Sequence, residues 1–498
     1  MASKFALAFP FAARVGAFVP PRNPCHFSPI SPRLWAAKTP RSGLLQEVLE
    51  CTGTAIQCRG SPRGYAALDR LGELSDRRTP FDFTSHVSSG VGTYLEPASL
   101  IMAHRELLPA ETTAKCLRRV AEMEREGSYN TEPDSVDGVP SLHLNLVVRG
   151  KLVVDPACQD VFSLVEPFIF ESLLPHVQEK MGNVVVNEVF LRRYGGDVGR
   201  CSISAHFDVL SVATAVIALD DAAADGRNGL YMSASDSNHA ALRQFFPLNQ
   251  GDAVVHTWDV LHGVDVEPAV QRTSLIVWFT PALDNADESV TNDVKELQDK
   301  PKWIANREDL STHSVAQFLL GSSLEGSYSG AVGQENPYDM YMKSASLGNA
   351  FSLDRLGTLC CEGKLTAFQV GKTISVLKDL RSSQDWPEPL VQELNDNSDG
   401  GETASCAAAK LLWYEAASRG LATSQIWLGY ACMKDAARHN SADLRLLAAV
   451  LFCLAEQQGG EISSAARFAS KQTVEMYIRN QLEEFPGKRF LGEGEPGI

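Results

Sequence analysis

Paired cysteines, a basic surplus and long apolar runs are all scarce in this 498-residue chain. Its 11 cysteines are odd in number, scattered, and form no CxxC pair. That spacing argues against a disulfide scaffold and against a cysteine zinc site. Lys and Arg total 45 against 61 Asp and Glu, a formal net charge of −16. An acidic chain has no reserve of cations to replace phosphate counterions, which argues against a nucleic-acid partner. No apolar run approaches the ~20 residues that a membrane span requires. Hydrophobic residues make up 44% of the chain and charged residues 21%, enough to bury ordinary cores. At this length two to four domains are expected.

The N-terminus lacks acid altogether: no Asp or Glu precedes Glu47, while Lys4, Arg14, Arg22, Arg33, Lys38 and Arg41 are basic. This composition, rich in Ala, Phe, Pro and Ser, fits a transit peptide to a plastid or mitochondrion. Phe5–Ala13 also forms a short apolar region followed by Phe18, which resembles the two-part leaders of complex plastids. A disordered extension with no address, on a cytoplasmic protein, is the alternative. Either way residues 1–95 are read as a targeting or disordered region.

From about Ala98 the pattern is that of a folded domain, read over 96–283. Pro109–Glu126 predicts an amphipathic helix with Leu117, Val120 and Met123 on one face. Asn130–Ser141 reads as a loop, and Gln159–Met181, with Pro167 and Pro175 inside it, as two short helices or one kinked one. The period then changes. Val184–Tyr194, Thr214–Leu219, Ala253–Trp258 and Thr273–Phe279 are short Val-, Ile- and aromatic-rich runs separated by turn residues, hence strands. The fold class predicted is multidomain α+β, a β-rich core with helical support.

Residues 284–333 are polar and Ser/Gly-rich and read as a linker. Beyond them, over 334–485, a repeat is visible. Tyr341–Gly348 with Leu356-Gly357 matches Trp413–Gly420 with Leu428-Gly429 at an offset of 72, and Phe452–Gly459 returns the element once more. Helix-turn-helix units of ~35–40 residues build an α-solenoid that presents a concave surface to a partner protein. The aromatic–x–x–Ala–Ala–x–x–Gly ending resembles Sel-like repeats, a tetratricopeptide-related subfamily; an unrelated Ala-rich bundle is the alternative.

The chemistry lies in Leu191–Phe279. Ala205-His206-Phe207-Asp208 opens it and Leu261-His262-Gly263-Val264 lies near its end. Residues i and i+2 of a strand share a face, so His206 and Asp208 can offer an imidazole and a carboxylate to one ion, and His262 can supply a third ligand. Two histidines and one carboxylate on one side of a metal, with positions left open, are diagnostic of non-haem iron(II) oxygenases. Arg272 stands ten residues after His262, at the head of a strand, where a guanidinium can grip a carboxylate bidentately; Ser274, at i+2, can add a hydroxyl.

Over about Ala98–Pro281 the run resembles the 2-oxoglutarate- and iron(II)-dependent dioxygenase superfamily, in its prolyl 4-hydroxylase-like branch. The resemblance implies a double-stranded β-helix, or jelly-roll, core. It gives His206, Asp208 and His262 to iron, Arg272 to the far carboxylate of 2-oxoglutarate, and Tyr194, in the run Arg193-Tyr194-Gly195-Gly196, to the same cosubstrate. Gly251-Asp252-Ala253 also matches. It further implies dioxygen as oxidant, L-ascorbate as reductant of oxidised iron, succinate and carbon dioxide as products, and a protein or peptide substrate. The chain departs from the pattern at Ile203, where prolyl enzymes carry a second Tyr, at Asn228-Gly229, where Gly-Gly is usual, and at Arg272, where collagen-type members carry Lys. A small-molecule substrate, or an interaction protein with a vestigial core, therefore stays open. His256, six residues before His262, is read as structural or as lying behind the ligands. His143 and His239 are read as surface or loop residues, and Cys201 as a core or pocket-wall thiol.

Overall fold

The computed structural model describes residues 77–81, 83, 99–126, 140–208, 210–221, 228–235, 241–282, 310–325, 336–380, 386–396, 402–439 and 441–457. The chain divides into two compact units, with the break after Leu356.

The first unit is built on twelve strands: β1 Arg77–Pro80, β2 Ile101–His104, β3 Leu142–Val148, β4 Lys151–Leu152, β5 Val184–Tyr194, β6 Ser202–His206, β7 Ala213–Ala218, β8 Gly229–Ser235, β9 Ala241–Phe245, β10 Ala253–Thr257, β11 His262–Asp265 and β12 Arg272–Pro281. They form a seven-stranded sheet of order β2-β10-β7-β12-β5-β3-β4 and a five-stranded sheet of order β1-β9-β8-β11-β6. Pairing is antiparallel except between β1 and β9. Strands β5, β7, β10 and β12 fall where their apolar runs predict, to within a residue or two.

The period of two divides the seven-stranded sheet into two chemically different faces. One face carries Val189, Leu191, Ala215, Ile217, Val255, Leu275 and Val277 into a large core. Three helices cover it: α1 Ala110–Arg125, α2 Pro156–Phe168 and α3 Leu174–Met181. α1 buries Cys116, Val120 and Met123, and each such side chain contributes ~1.5–3 kcal/mol on leaving water. Between α2 and α3 the backbone runs on as a π-helical turn, Ile169–Leu173. Pro167 and Pro175 each lack an N–H and crowd the carbonyl four residues back, and the widened turn between them accommodates both. The other face carries Phe190, Tyr194, Val216, Ala218, Val254 and Ile276 into a second cluster, closed from the five-stranded sheet by Ile203, Leu230, Met232 and Val264. The inward face of the barrel is where the polar residues of interest lie.

Three expectations about organisation change. Residues Arg77–Pro80, placed in the leader, form an edge strand paired with Leu242–Phe245. The stretch read as a linker contains helix α4, Ser314–Glu325. His313 at its start donates to Asp259 at 3.1 Å and stacks on Trp258 with ring centroids 4.9 Å apart. Polar composition hid this helix because its contacts are supplied by the barrel. His143, read as a surface or loop residue, lies in β3 opposite Arg192. His239, residues 1–76 and most of the loop 130–141 lie outside the described residues.

Helices α5 Pro337–Ser346 and α6 Ala350–Cys361 follow, with the division between units falling inside α6. The second unit holds α7 Ala367–Leu380, α8 Glu388–Asp396, α9 Glu402–Ser418, α10 Ala422–His439 and α11 Ala442–Gln457. Gly348 and Gly420, 72 residues apart, end α5 and α9 with φ of 86° and 88°. Gly357 and Gly429 leave room for aromatic rings: a Cβ would meet Trp413 at 2.7 Å and Phe452 at 2.8 Å respectively. Lys410 is buried and pairs with Glu393 and Asp435. No helix of the described residues is long and apolar enough to cross a membrane.

Gly251 turns the chain into β10 with φ +85°, and a Cβ there would lie 2.1 Å from the Leu108 carbonyl oxygen. Gly182 has φ +78° with nothing within 4 Å of its virtual Cβ. Gly182→Ala is therefore expected to cost only the backbone strain of about 1 kcal/mol, and Gly251→Ala clearly more, on the order of 3 kcal/mol. Denaturant midpoints of the two variants check the difference; equal losses would contradict it.

Candidate metal and cosubstrate site

Strand register brings the candidate metal ligands together. β11 pairs with β6 so that His262 stands directly opposite His206, and the pairing shifts between His262 and Val264. Asp208 follows β6 by two residues. His206 Nε2 lies 3.6 Å from Asp208 Oδ1, and His262 Nε2 lies 3.5 Å from Asp208 Oδ2. One donor atom from each of the three lies within 4.8 Å of the others, the only such set among the described residues. Two imidazole nitrogens and one carboxylate oxygen fit a first-row divalent ion with open positions.

The surroundings hold these donors in their binding forms. His262 Nδ1 is 3.0 Å from the Val260 carbonyl oxygen. A carbonyl only accepts, so Nδ1 carries the proton and Nε2 presents a lone pair. Asp208 Oδ2 accepts from the Thr214 hydroxyl at 2.6 Å. Burial opposes ionisation of Asp208, but His262, His206, His256 and the Thr214 hydroxyl together hold its carboxyl at about 2. Burial pushes the imidazole of His262 down to about 4, helped by His206 and Arg192 and opposed by Asp208. Burial likewise takes His256 to about 4, with His262 adding to it. A carboxylate among neutral imidazoles is a site prepared for a cation.

Arg272 opens β12 opposite Tyr194, and both are buried. Its Nε and Nη2 are buried without a hydrogen-bond partner. Burial lowers the pKa of this guanidinium, and Asp220 and Tyr194 oppose that effect. Gly229 makes the space: with φ +109°, a Cβ there would lie 2.8 Å from Arg272 Nη1. Asp220 braces the strand from behind, accepting the Thr273 N–H at 2.6 Å. Two buried N–H vectors with no acceptor fit one carboxylate gripped side by side. Ser274 shares the face of Arg272 and stands opposite Arg192 and Ala218.

The structure thus collects His206, Asp208, His262, Arg272, Tyr194 and Ser274 on the barrel interior. Sequence reasoning missed Thr214, Arg192, Asp220 and the clearance at Gly229. Arg192 is inward because it is two residues from both Phe190 and Tyr194, a signal available once β5 is recognised. The Asp252 of Gly251-Asp252-Ala253 is structural: it pairs with Arg105 at 2.6 Å and accepts the Glu106 and Asn249 N–H groups. Ile203 is buried in the inner cluster.

No family model matches the chain, and no curated protein does. Solved structures resemble part of it. A Pseudomonas putida prolyl-4-hydroxylase is 16% identical, over 36% of this chain and 92% of that one, with a TM-score of 0.28. The alpha ketoglutarate dependent epimerase SnoN from nogalamycin biosynthesis is 13% identical, over 36% and 78%, at 0.29. A prolyl hydroxylase from Trichoplax adhaerens, solved with a hypoxia inducible factor peptide fragment, is 12% identical, over 44% and 94%, at 0.29.

The buried imidazoles set a pH dependence for the metal-free protein. His256 and His262 have folded-state values of about 4, below the ordinary 6.5. Between those values the unfolded chain binds protons that the folded chain does not, so stability falls as pH drops from about 6.5 toward about 4. Asp208 adds its own loss lower down, between its ordinary value of 3.8 and about 2. Melting temperature against pH is expected to slope downward on acidification in this window. His262→Gln, which cannot titrate there, is expected to flatten the slope; an unchanged slope would refute the assignment.

Proposed function

We propose that the chain is a 2-oxoglutarate- and iron(II)-dependent hydroxylase whose strand-bearing unit is a double-stranded β-helix. The observation that carries this reading is a His206/Asp208/His262 donor set at the end of the five-stranded sheet together with a buried Arg272, two of its nitrogens unpartnered, on the inward face of the seven-stranded sheet. Either feature alone has structural explanations; together they fit an ion and a dicarboxylate.

Iron(II) held by His206, Asp208 and His262, with 2-oxoglutarate and dioxygen, supplies oxidative hydroxylation, with succinate and carbon dioxide as co-products. The chain's own residues bind and orient. Arg272 takes the far carboxylate of the cosubstrate through Nε and Nη2, with Ser274 and the Tyr194 hydroxyl on the same wall. Thr214 holds Asp208 by its Oδ2, which leaves Oδ1 directed toward the His206 side. Val260 fixes the His262 tautomer, so no proton has to leave Nε2 when metal binds. The apolar lining of Phe190, Ile203, Val216, Leu230 and Ile276 keeps the pocket dry, which strengthens each charge interaction inside it.

A protein or peptide is the proposed substrate class, prolyl hydroxylation the proposed type, and ascorbate the proposed reductant of oxidised iron. The helices after α4 are proposed as a Sel-like array that binds a partner protein. Support for the repeat is the shared work of Gly348 and Gly420 at helix ends and of Gly357 and Gly429 beneath aromatic rings.

Adding 2-oxoglutarate to anaerobic, iron(II)-loaded protein is expected to produce the visible charge-transfer band of the chelate. His206→Ala is expected to abolish the band. Arg272→Ala removes two charge-assisted hydrogen bonds of ~1.5–3 kcal/mol each and is expected to raise the half-saturating 2-oxoglutarate concentration on the order of 100-fold. A folded, iron-loaded wild type that gives no band would overturn the assignment.

A further inference from the structure

His256 is the one buried imidazole at this site that the donor set leaves out. It lies on β10, opposite Ile101 and Thr214, on the inward face. Its ring centroid is 4.2 Å from that of His262. Its Nδ1 lies 3.1 Å from the Thr257 carbonyl oxygen, so Nδ1 carries the proton and Nε2 presents a bare lone pair. Val260 sets the tautomer of His262 in the same way.

That lone pair has no partner. His256 Nε2 is buried without a hydrogen bond, and the nearest acidic atom, Asp208 Oδ2, is 4.0 Å away and is itself an acceptor. An unsatisfied buried acceptor is destabilising. For packing alone, Phe or Leu would fill the same wall without that cost. What Nε2 lacks is a donor, at a point adjoining the metal ligands. Direct ligation is disfavoured, because only His206, Asp208 and His262 have donor atoms within 4.8 Å of one another among the described residues.

We propose that His256 is a positioning residue whose Nε2 accepts a hydrogen bond from a water in the coordination sphere of the ion held by His206, Asp208 and His262. The proposal rests on the metal-site reading above and adds a third imidazole to it, one that acts through a water. It assigns His256 the work of favouring one orientation of that water and of raising the affinity of the site for the ion.

The test uses the full chain and Mn2+ as the probe, without 2-oxoglutarate, with free Mn2+ followed by electron paramagnetic resonance. Wild type is compared with His206→Ala, His256→Leu, His256→Phe and His256→Gln, each checked for folding by its thermal transition. His256→Phe retains the ring shape should Leu collapse the wall. Loss of the acceptor in Leu or Phe is expected to weaken Mn2+ binding about 10-fold, the lower end for outer-shell partners. Gln, whose amide oxygen still accepts, is expected to recover most of that loss. Pulsed measurements are expected to count two directly bound imidazole nitrogens in wild type and in every His256 variant. Wild-type affinity in folded Leu or Phe variants would overturn the proposal, as would a third bound nitrogen that disappears with His256. A failure of the metal-site reading has a different signature: wild type would then bind Mn2+ no better than His206→Ala, and both ideas would fall.

Discussion

The antiparallel pairing of β6 with β11 is the constraint on which the rest of the site depends. It sets His262 opposite His206, and a slip of one residue would turn one of the two rings to the other face of the sheet. Neither strand can hold that register alone, since each is short: Ser202–His206 and His262–Asp265. β8 holds β11 from its other side, pairing Met232 with His262. The Thr214 hydroxyl, from the seven-stranded sheet, reaches Asp208 at the end of β6. That bond helps tie the candidate donors to the sheet whose outer face is packed by three helices, so the helices support the donor geometry through the sheet.

The same division of labour explains the electrostatics. The outer face of the large sheet is apolar and covered, and it supplies the burial energy of the unit. The inner face is free to carry groups that weaken a core: Arg272, Arg192, His256 and Ser274. A guanidinium buried with two unpartnered nitrogens is unfavourable in the ligand-free state, and Gly229 is shaped to keep it there. Stability is given up at a point where an anion would restore it. The donor set has the opposite sign, a carboxylate held ionised among neutral rings. The two sheets thus carry groups of opposite sign, an acidic donor set on β6 and β11 and a buried guanidinium on β12.

The candidate donors and Arg272 stand out in the sequence because each is a local signal: an i, i+2 pair, a His on a distant strand, an Arg heading an apolar run. β5, β7, β10 and β12 were legible because they are central strands with continuous apolar runs. β8 and β9 were not, because their inward positions are shared among glycine, polar and apolar residues and no clean alternation survives; β11 showed only through His262. The inward aim of His256 was not legible, since it follows from the parity of β10 relative to β7. Likewise, nothing local marks Arg77–Pro80 as a strand, because its partner Leu242–Phe245 lies far along the chain. α4 was missed for a related reason: Ser, Gly and Gln hide its helical period, and His313 anchors it through a residue of the barrel.

The stretch after the barrel is more than a tether. Phe207, between two metal donors, packs on Phe351 with ring centroids 5.4 Å apart, and Phe351 packs on Phe318 of α4 at the same distance. Ser99 and His313 both donate to Asp259, which burial alone would make harder to ionise and which these bonds hold in its charged form. Arg355 and Glu325 pair across α6 and α4. These contacts lie within the first unit, so the turn that carries His206 and Asp208 is backed by residues more than a hundred positions downstream. A barrel cut at the end of β12 would keep all its metal donors and lose the aromatic support behind them. The first unit therefore extends past β12, since the rings packed behind Phe207 come from α4 and α6.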